Sequence, residues 1–466
     1  MQARGPLIRG NKIHFIGMGG VGMSALADLL LARGCQISGS DLKTNKITLR
    51  LEAKGAEVYL GHLAKNIDDP DLVIYSSCIK DNNPEILEAK RKCVPVIHRA
   101  ALLGMLMDEK CAIAIAGTHG KTTTTSMISL VLKTGKLDPS FAIGADVDVL
   151  GGNAFAGEGK YFVAEADESD GSLLEFNPYY AIITNIDREH LDYYDDLDHI
   201  VRTFEKFIGN IHKSGTLFCC CEDVNIQKAI KSYKGSLITY GFNSDADVRA
   251  ENVRLLGMRS VFVCIYKGKS IGEFTLNIPG RHNVLNALAA ICMGMEAAIE
   301  TSYIKNALAL FTGADRRFQI KNSYSNIMIV DDYAHHPTEI KATLQAARGW
   351  EKRVVGVFQP HRYSRTKFLQ KEFGRCFANA DDVVITDIYA ANEAPLDGVG
   401  ARAIYEEVKQ SGHKSVCFLP LGEVKDYLLE TLRDGDMLLM LGAGDIGKLA
   451  EELNQQLPAA EKLTSK

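Results

Sequence analysis

The sequence predicts an α/β protein of three consecutive domains. Three observations carry this expectation. The chain has 466 residues, and at roughly 150 residues per domain that length suggests about three. Short apolar runs, each followed by a helically spaced stretch, restart near Lys12, Cys111 and Lys321. Strands alternating with helices in this way build parallel sheets. Finally, the turns after the first strands of the first two segments are rich in glycine, which lets backbone bend sharply or approach a ligand closely.

Composition narrows the functional classes. Hydrophobic residues make up 46% and charged residues 24%, so disorder and low complexity are excluded for the chain as a whole. Lys plus Arg number 53 against 58 Asp plus Glu, a formal net charge of −5. Nucleic-acid binders usually carry surplus positive charge, so no nucleic-acid partner is expected. The apolar window 25–32 is interrupted by Asp28 and falls short of the roughly 20 apolar residues a membrane span needs. No membrane partner and no secretory leader are expected. Eleven cysteines are scattered without a CxxC pair, which suits reduced thiols in a cytoplasm. Nothing in the sequence sets an oligomeric state.

In the first segment, residues 1–106, an apolar run at 13–16 stops at Gly17, and residues 23–31 have helical spacing. Gly17-Met18-Gly19-Gly20-Val21-Gly22 fits GxGxxG after a strand. The next strand, 36–41, ends in Asp41, and a third, 72–75, is followed by Ser76 and Ser77. Read alone, this is a Rossmann-like dinucleotide fold and suggests a nicotinamide-dependent oxidoreductase. Physically the motif is a pyrophosphate cradle at a helix N-terminus. A sugar nucleotide fits it equally, and a glycine turn with packing value only is the plain alternative.

The second segment, residues 107–321, opens with a buried strand at 111–116 stopped by Gly117. Gly117-Thr118-His119-Gly120-Lys121-Thr122 then leads into a threonine-rich helix. This is a compressed P-loop, with Ile115 where the usual pattern has its first glycine. Lys121 is expected to reach the β- and γ-phosphates and the Thr122 hydroxyl to bind Mg²⁺. Glu165 and Asp167 follow a strand near 161–164, and His190 follows one near 181–184. Glu165 and His190 are placed to reach a cation near the phosphates, with a solvated acidic loop and a surface histidine as the alternative. Residues 260–266 and 273–277 read as a hairpin, and 281–300 as mostly helix. A second nucleotide loop gives a hydride carrier no obvious use, so ATP beside a sugar nucleotide is the more economical pair.

The third segment, residues 322–466, is expected to be Rossmann-like, with strands at 327–330, 353–358, 383–386 and 437–441. Asp331 to His336 follow one strand, and Gln359 to Arg365 the next. Arg362 and Arg365 at i, i+3 can share a helix face. Two guanidinium forks suit a carboxylate or phosphate. The adjacent histidines lack zinc-site spacing.

Taken in order, HFIGMGGVGMSALA, IAGTHGKTTTTS, VAEADESD, TNIDREHLD, GRHNVLNALAA, GADRRFQ, DDYAHHPTEI and FQPHRYSRT resemble the Mur ligases of peptidoglycan synthesis, and within them the alanine-adding branch. The resemblance runs from about Ile13 to Gly447. It implies a first domain that binds the UDP part of the substrate, a second that binds ATP, and a third that binds the amino acid and closes over the site. It implies that UDP-N-acetylmuramate, L-alanine and ATP become an amide, ADP and phosphate through an acyl phosphate. Gly117 to Thr123, including Thr118, His119 and Gly120, would hold the nucleotide. Mg²⁺ would sit on Thr122 and Glu165, and a second Mg²⁺ would use His190. His282 and Asn283 resemble adenine contacts, Arg317 a nucleotide contact, and Asp332 a ribose contact. Tyr333 and His335 resemble contacts around the reacting groups, and Arg362 and Arg365 would clamp the alanine carboxylate. Lys121, Glu165, His190, His335 and Arg362 form the expected catalytic set. Gly19, Gly20 and Gly22 would hold the UDP diphosphate with Ser76 and Ser77 nearby, and Asp167 and Ser169 fall on the substrate side. Several relatives carry a carbamylated lysine about fifteen residues past the metal-binding histidine. Here that position is Glu205, with Lys206 next, as in the alanine-adding branch. The nearest alternative is a recycling ligase that joins a preformed tripeptide to the same UDP-sugar. A non-catalytic nucleotide sensor is a further one.

Overall fold

The computed structural model describes residues 9–324 and 326–456. The polar tail from residue 457, expected to be loosely held, lies outside the described residues. The chain divides into two compact units. One holds residues up to 187 with 198–249 and 286–307, and the other holds 188–197, 250–285 and residues from 308 on.

In the first unit, β1 (Lys12–Ile16), β2 (Gln36–Asp41), β3 (Glu57–Leu60), β4 (Leu72–Tyr75) and β5 (Val96–His98) form a parallel sheet in the order β3-β2-β1-β4-β5. The order reverses at β1, and ligand crevices form outside the carboxyl ends of strands at such switch points. The glycine turn after Ile16 is therefore flanked by Asp41 on one side and Ser76 on the other. The helix Val21–Ala32 that follows buries Met23, Leu26, Leu29 and Leu30, as the helical spacing of 23–31 predicts.

The second sheet of this unit comprises β6 (Cys111–Ala116), β7 (Ser140–Ala142), β8 (Ala154–Phe155), β9 (Tyr161–Glu165), β10 (Tyr180–Ile183), β11 (Thr216–Cys220) and β12 (Ser236–Gly241), with the start of β13 (Val248–Leu256). Its order is β13-β12-β11-β10-β6-β9-β7-β8. β6 lies between two parallel partners, β9 and β10. Ile113 to Ala116 are wholly buried, because a central parallel strand is covered on both faces and reads as an unbroken apolar run. The helix Lys121–Thr134 is buried from Thr122 to Leu132. Its hydroxyls are partly satisfied by back-bonding: Thr125 Oγ1 donates to Lys121 O at 2.8 Å and Ser126 Oγ to Thr122 O at 2.7 Å. Cys219 and Cys220 are buried core thiols, and none of the eleven cysteines is in a disulfide.

In the second unit the expected hairpin forms between β14 (Arg259–Tyr266) and β15 (Lys269–Leu276). The stretch 281–300, expected to be mostly helix, is helical over Arg281–Glu296. Ala298 takes φ +56°, and the amide of Ile299 closes onto Gly294 O at 3.0 Å. A local hydrogen-bonded stop outweighs apolar spacing there. The third sheet is built from β16 (Gln319–Tyr324), β17 (Ile327–Asp332), β18 (Val354–Phe358), β19 (Asp382–Ile385), β20 (Val416–Phe418) and β21 (Met437–Leu441), in the order β16-β17-β21-β18-β19-β20. β16 is an antiparallel edge. The other strands are parallel, with β21 inserted between β17 and β18. Met437 to Leu441 are all fully buried. The loops after Asp332, Phe358 and Leu441 consequently leave from one edge of the sheet. Among the described residues, no helix is long and apolar enough to cross a membrane.

Candidate active site

At the first switch point the turn closes on itself. Gly17 has φ +81°, and the amides of Gly17 and Met18 both donate to Ser40 O. The Gly19 amide donates to Asp41 Oδ2 at 2.9 Å. A Cβ on Gly19 would stand 2.8 Å from both Asp41 and Asn45 side-chain atoms, so a larger residue would have to displace the Asp41 carboxylate that holds the turn. Gly20 caps the following helix without a side-chain hydrogen bond, which leaves its first-turn amides suited to an anion. Two residues that the sequence did not single out join this edge. A Cβ on Gly22 would lie 3.1 Å from Arg99 Nη1, and Arg99 Nη2 donates to Asp167 Oδ2 at 3.2 Å. His98 Nε2 is 2.9 Å from Ser77 Oγ, which donates to Asp170 Oδ2 at 2.5 Å. The available signal was the position of His98-Arg99 at the end of the strand beside the one that ends at Ser76-Ser77. Ser169 contributes its amide, which donates to Asp167 Oδ1 at 3.1 Å.

The loop after β6 is held from beneath by the end of β10. Gly117 takes φ +136°, and a Cβ there would fall 2.1 Å from Thr184 Oγ1. His119 N donates to Asn185 Oδ1 at 2.8 Å, and Thr184 Oγ1 donates to His119 O at 2.6 Å. The Thr118 amide donates to Asn185 O, while Thr118 Oγ1 accepts from Asp187 N at 2.9 Å. Gly120, at φ +83°, caps the helix without a side-chain hydrogen bond. Lys121 Nζ donates to Gly117 O at 2.7 Å and to both Glu168 oxygens at 3.0 and 2.8 Å. Burial alone would pull this ammonium down, but Glu168 and then Asp167 outweigh it, and its pKa is raised. Thr122 Oγ1 donates to Glu165 Oε2 at 3.1 Å, and Glu165 Oε1 accepts from Gly144 N at 2.6 Å. Thr123 is buried in the first turn. A hydroxyl beside a carboxylate is a hard-oxygen donor pair suited to Mg²⁺, and the glycines leave a cradle that side chains would fill. These residues thus fit a nucleotide triphosphate and its metal.

The second unit carries the other expected residues. His282 and Asp332 each feel the charges of Arg317 and Glu339, and the Arg317 guanidinium lies 5.1 Å from the Tyr333 ring. Desolvation by the surrounding chain and then Arg317 push His282 down to about 4, although its side chain reaches the surface. Asn283 Nδ2 donates to Pro279 O at 2.7 Å. Asp332 accepts from Phe318 N and Ala334 N at 2.8 and 2.7 Å. Burial nonetheless dominates and raises its pKa to about 6, against the pull of Arg317 and the two amides.

An acid raised in this way binds its proton more tightly in the folded state. Stability should therefore fall as pH rises from the unfolded value near 3.8 to about 6. A carboxyl-carbon NMR titration is expected to place the Asp332 midpoint near 6. A midpoint at or below the ordinary aspartate value would contradict the burial argument.

His335 Nδ1 lies 3.0 Å from Tyr333 O. A carbonyl only accepts, so Nδ1 carries the proton and Nε2 keeps its lone pair. Burial, reinforced by Arg365, holds His335 at about 3, and His361 is likewise down at about 2. Both rings are neutral at neutral pH. Arg365 is buried, with Nε donating to Glu189 Oε1 at 2.9 Å and Nη1 to His361 O at 2.9 Å. Arg362 Nη1 donates to Asp192 Oδ2 at 3.0 Å. Burial would push the Glu189 carboxyl up, but Arg365, His336 and His190 outweigh it and hold it well below the usual range. His190 takes φ +54°, and its amide donates to Glu189 Oε1 at 3.2 Å.

The structure thus pairs Thr122 with Glu165, groups His282 with Arg317 and Asp332, and places Arg362 with Arg365 on one cleft. Neither arginine is a free fork. Glu168 and Glu189, the counterions of Lys121 and Arg365, were not singled out, because pairs 47 and 176 residues apart leave no local pattern.

A glycine turn at one switch point, a phosphate loop at the next and a third doubly wound sheet together define a nucleotide-dependent three-domain ligase. Family models agree. The description "Mur ligase family, catalytic domain" matches residues 12–111, "Mur ligase middle domain" residues 115–294, and "Mur ligase, glutamate ligase domain" residues 316–444. The chain belongs to the Mur ligase family. Among its relatives, the UDP-N-acetylmuramate–L-alanine ligase of Geotalea daltonii is 48% identical over 96% of this chain and 98% of its own. The enzyme of the same name from Geobacter sulfurreducens is 48% identical over 97% and 98%. Among solved structures, the UDP-N-acetylmuramate-alanine ligase MurC of Thermotoga maritima superposes with a TM-score of 0.81 at 32% identity, covering 96% of this chain and 98% of that one.

Proposed function

We propose that this chain joins L-alanine to the lactyl carboxylate of UDP-N-acetylmuramate with ATP, through an acyl phosphate, in peptidoglycan precursor synthesis. The observation that carries the reading is the Gly117–Thr122 loop, with Lys121 and the Thr122–Glu165 pair at its mouth, in a chain so similar over its whole length to enzymes named for that reaction. A carboxylate is a poor electrophile, and phosphorylation makes it reactive. Charge then builds on phosphoryl oxygens, so catalysis is chiefly positioning and cation stabilisation. Loop amides and Lys121 bind the phosphates. Thr122 and Glu165 would hold Mg²⁺, which supplies positive charge there, and His190 is the expected ligand of a second. The His282, Asn283, Arg317 and Asp332 group is assigned to the base and ribose. Gly19, Gly20, Gly22, Ser76, Ser77, Asp167 and Ser169 are assigned to the UDP-sugar, joined by His98 and Arg99. Tyr333, His335, Arg362 and Arg365 are assigned to the amino acid, with the neutral Nε2 of His335 offered as a hydrogen-bond acceptor. The reaction is assigned to the cytoplasm.

The sequence placed domain joints at 106/107 and 321/322. Those points fall inside the helix Arg99–Asp108 and inside β16, so we place the joints just after that helix and just before that strand.

The deciding experiment measures phosphate release with ATP and UDP-N-acetylmuramate plus L-alanine, glycine, L-serine or a preformed tripeptide. L-Alanine is expected to be the preferred acceptor. Release with the tripeptide alone would move the chain to the recycling branch, and nicotinamide dinucleotide binding at the first glycine turn would revive the oxidoreductase.

A further inference from the structure

We infer that Glu189 is a positioning residue for the amino-acid substrate: it fixes which edge of Arg365 faces the cleft, and hence how the substrate carboxylate is held. The inference rests on the ligase reading above. Arg365 has three guanidinium nitrogens. Nε is used by Glu189 Oε1 at 2.9 Å. Nη1 is used by His361, whose carbonyl oxygen and Nδ1 both lie 2.9 Å away. Only Nη2 remains for a ligand. The two-pronged fork that the i, i+3 spacing suggested is therefore replaced by a single presented nitrogen.

The surroundings support a directed role over a merely packed one. Glu189, Arg362, Ser364 and Arg365 line one small cleft. Arg362 commits Nη1 to Asp192 at 3.0 Å, while its Nε is buried without a hydrogen-bond partner. Glu189 likewise loads one oxygen and leaves the other bare. Oε1 takes the Arg365 Nε–H and the His190 amide. Oε2 has no hydrogen bond, and His336 Nε2 stands 3.8 Å away. Arg365 thus sits between a fixed internal carboxylate and the place where a substrate carboxylate would approach. A guanidinium held on one edge by an anion cannot swing, so its free edge points one way. Neutralising Glu189 releases that edge.

The test uses the full chain with ATP and UDP-N-acetylmuramate, and compares L-alanine with L-alaninamide as acceptor. The amide keeps the amine and methyl group and lacks the carboxylate. Glu189→Gln is expected to lower the ratio of kcat/KM for L-alanine over L-alaninamide by about tenfold, the scale of one charge-assisted hydrogen bond. The KM values for ATP and the UDP-sugar should stay within about twofold. Glu189→Asp, which keeps the charge, should retain more of the preference than Glu189→Gln. Arg365→Lys, which keeps charge but loses the planar edge, should also lower it, and Glu189→Asp, with its shorter reach to Nε, carries the test through its own lowered ratio if Glu189→Gln does not fold. An unchanged alanine-to-amide ratio, or equal losses for all three substrates, would reduce Glu189 to a structural residue and overturn the inference. Absence of alanine-dependent phosphate release from the unsubstituted chain would instead mark failure of the ligase reading itself.

Discussion

Lys121→Ala is expected to lower turnover by about 10³-fold or more, because it removes the ammonium held against the Gly117 turn, where transition-state charge is expected to accumulate. UDP-sugar affinity should stay within about twofold, since the glycine turn at Ile16 is a separate amide cradle. The structure adds a consequence for stability. Glu168 is only 1% exposed and its carboxylate is paired to Lys121 at 2.8 Å. Truncating the lysine takes a close countercharge from a buried carboxylate, at a cost of up to about 3–5 kcal/mol. Lys121→Ala combined with Glu168→Gln removes that buried charge, and should recover much of the thermal midpoint while turnover stays lost. Phosphate release, UDP-sugar calorimetry and thermal melts read the three quantities separately. A UDP-sugar affinity that fell as far as turnover would refute the division of binding between two domains.

Gly117→Ala is the second large effect. The new methyl group would stand 2.1 Å from Thr184 Oγ1 and 3.0 Å from Asn185 O, on a backbone at φ +136°. Left-handed strain and overpacking each cost about 1–3 kcal/mol. The loop can escape only by moving off β10, and that movement takes its amides away from the phosphates. A loss of about 2–6 kcal/mol in stability is expected, with nucleotide affinity reduced by about a hundredfold or more. Gly151→Ala is the matched control. Gly151 has φ +85° and open space around its Cβ direction, so it should cost only about 1–2 kcal/mol of backbone strain and leave nucleotide binding unchanged. Melts and titration with a fluorescent ATP analogue separate the two. Equal effects on nucleotide binding would mean that the contact with Thr184 does not shape the loop.

Some of this was readable from the chain alone, and the readable parts share a physical feature. The sharp turns after Ile16 and Ala116 could be recognised because their left-handed backbone at Gly17, Gly117 and Gly120 is written locally as glycine. β6 and β21 were legible because both faces are covered, which leaves an unbroken apolar run. The hairpin at 259–276 announced itself through Lys267-Gly268. The helix after Arg281 was legible through its apolar spacing, while its end at Glu296 is set by the left-handed Ala298 and the local hydrogen bond beside it.

The sequence by itself determined where the glycine turns, the carboxylates that follow strands and the paired arginines occur along the chain. It also carried the family resemblance, because these are short motifs whose chemistry depends on near neighbours. Only the tertiary structure decided which charges are already spoken for. Glu168 meets Lys121 because β9 and β6 are neighbours in one parallel sheet, whereas Glu189 meets Arg365 and Arg99 meets Asp167 through loops that follow strands of different sheets. In a buried site, the partner that compensates a charge is chosen by tertiary packing and not by separation along the chain.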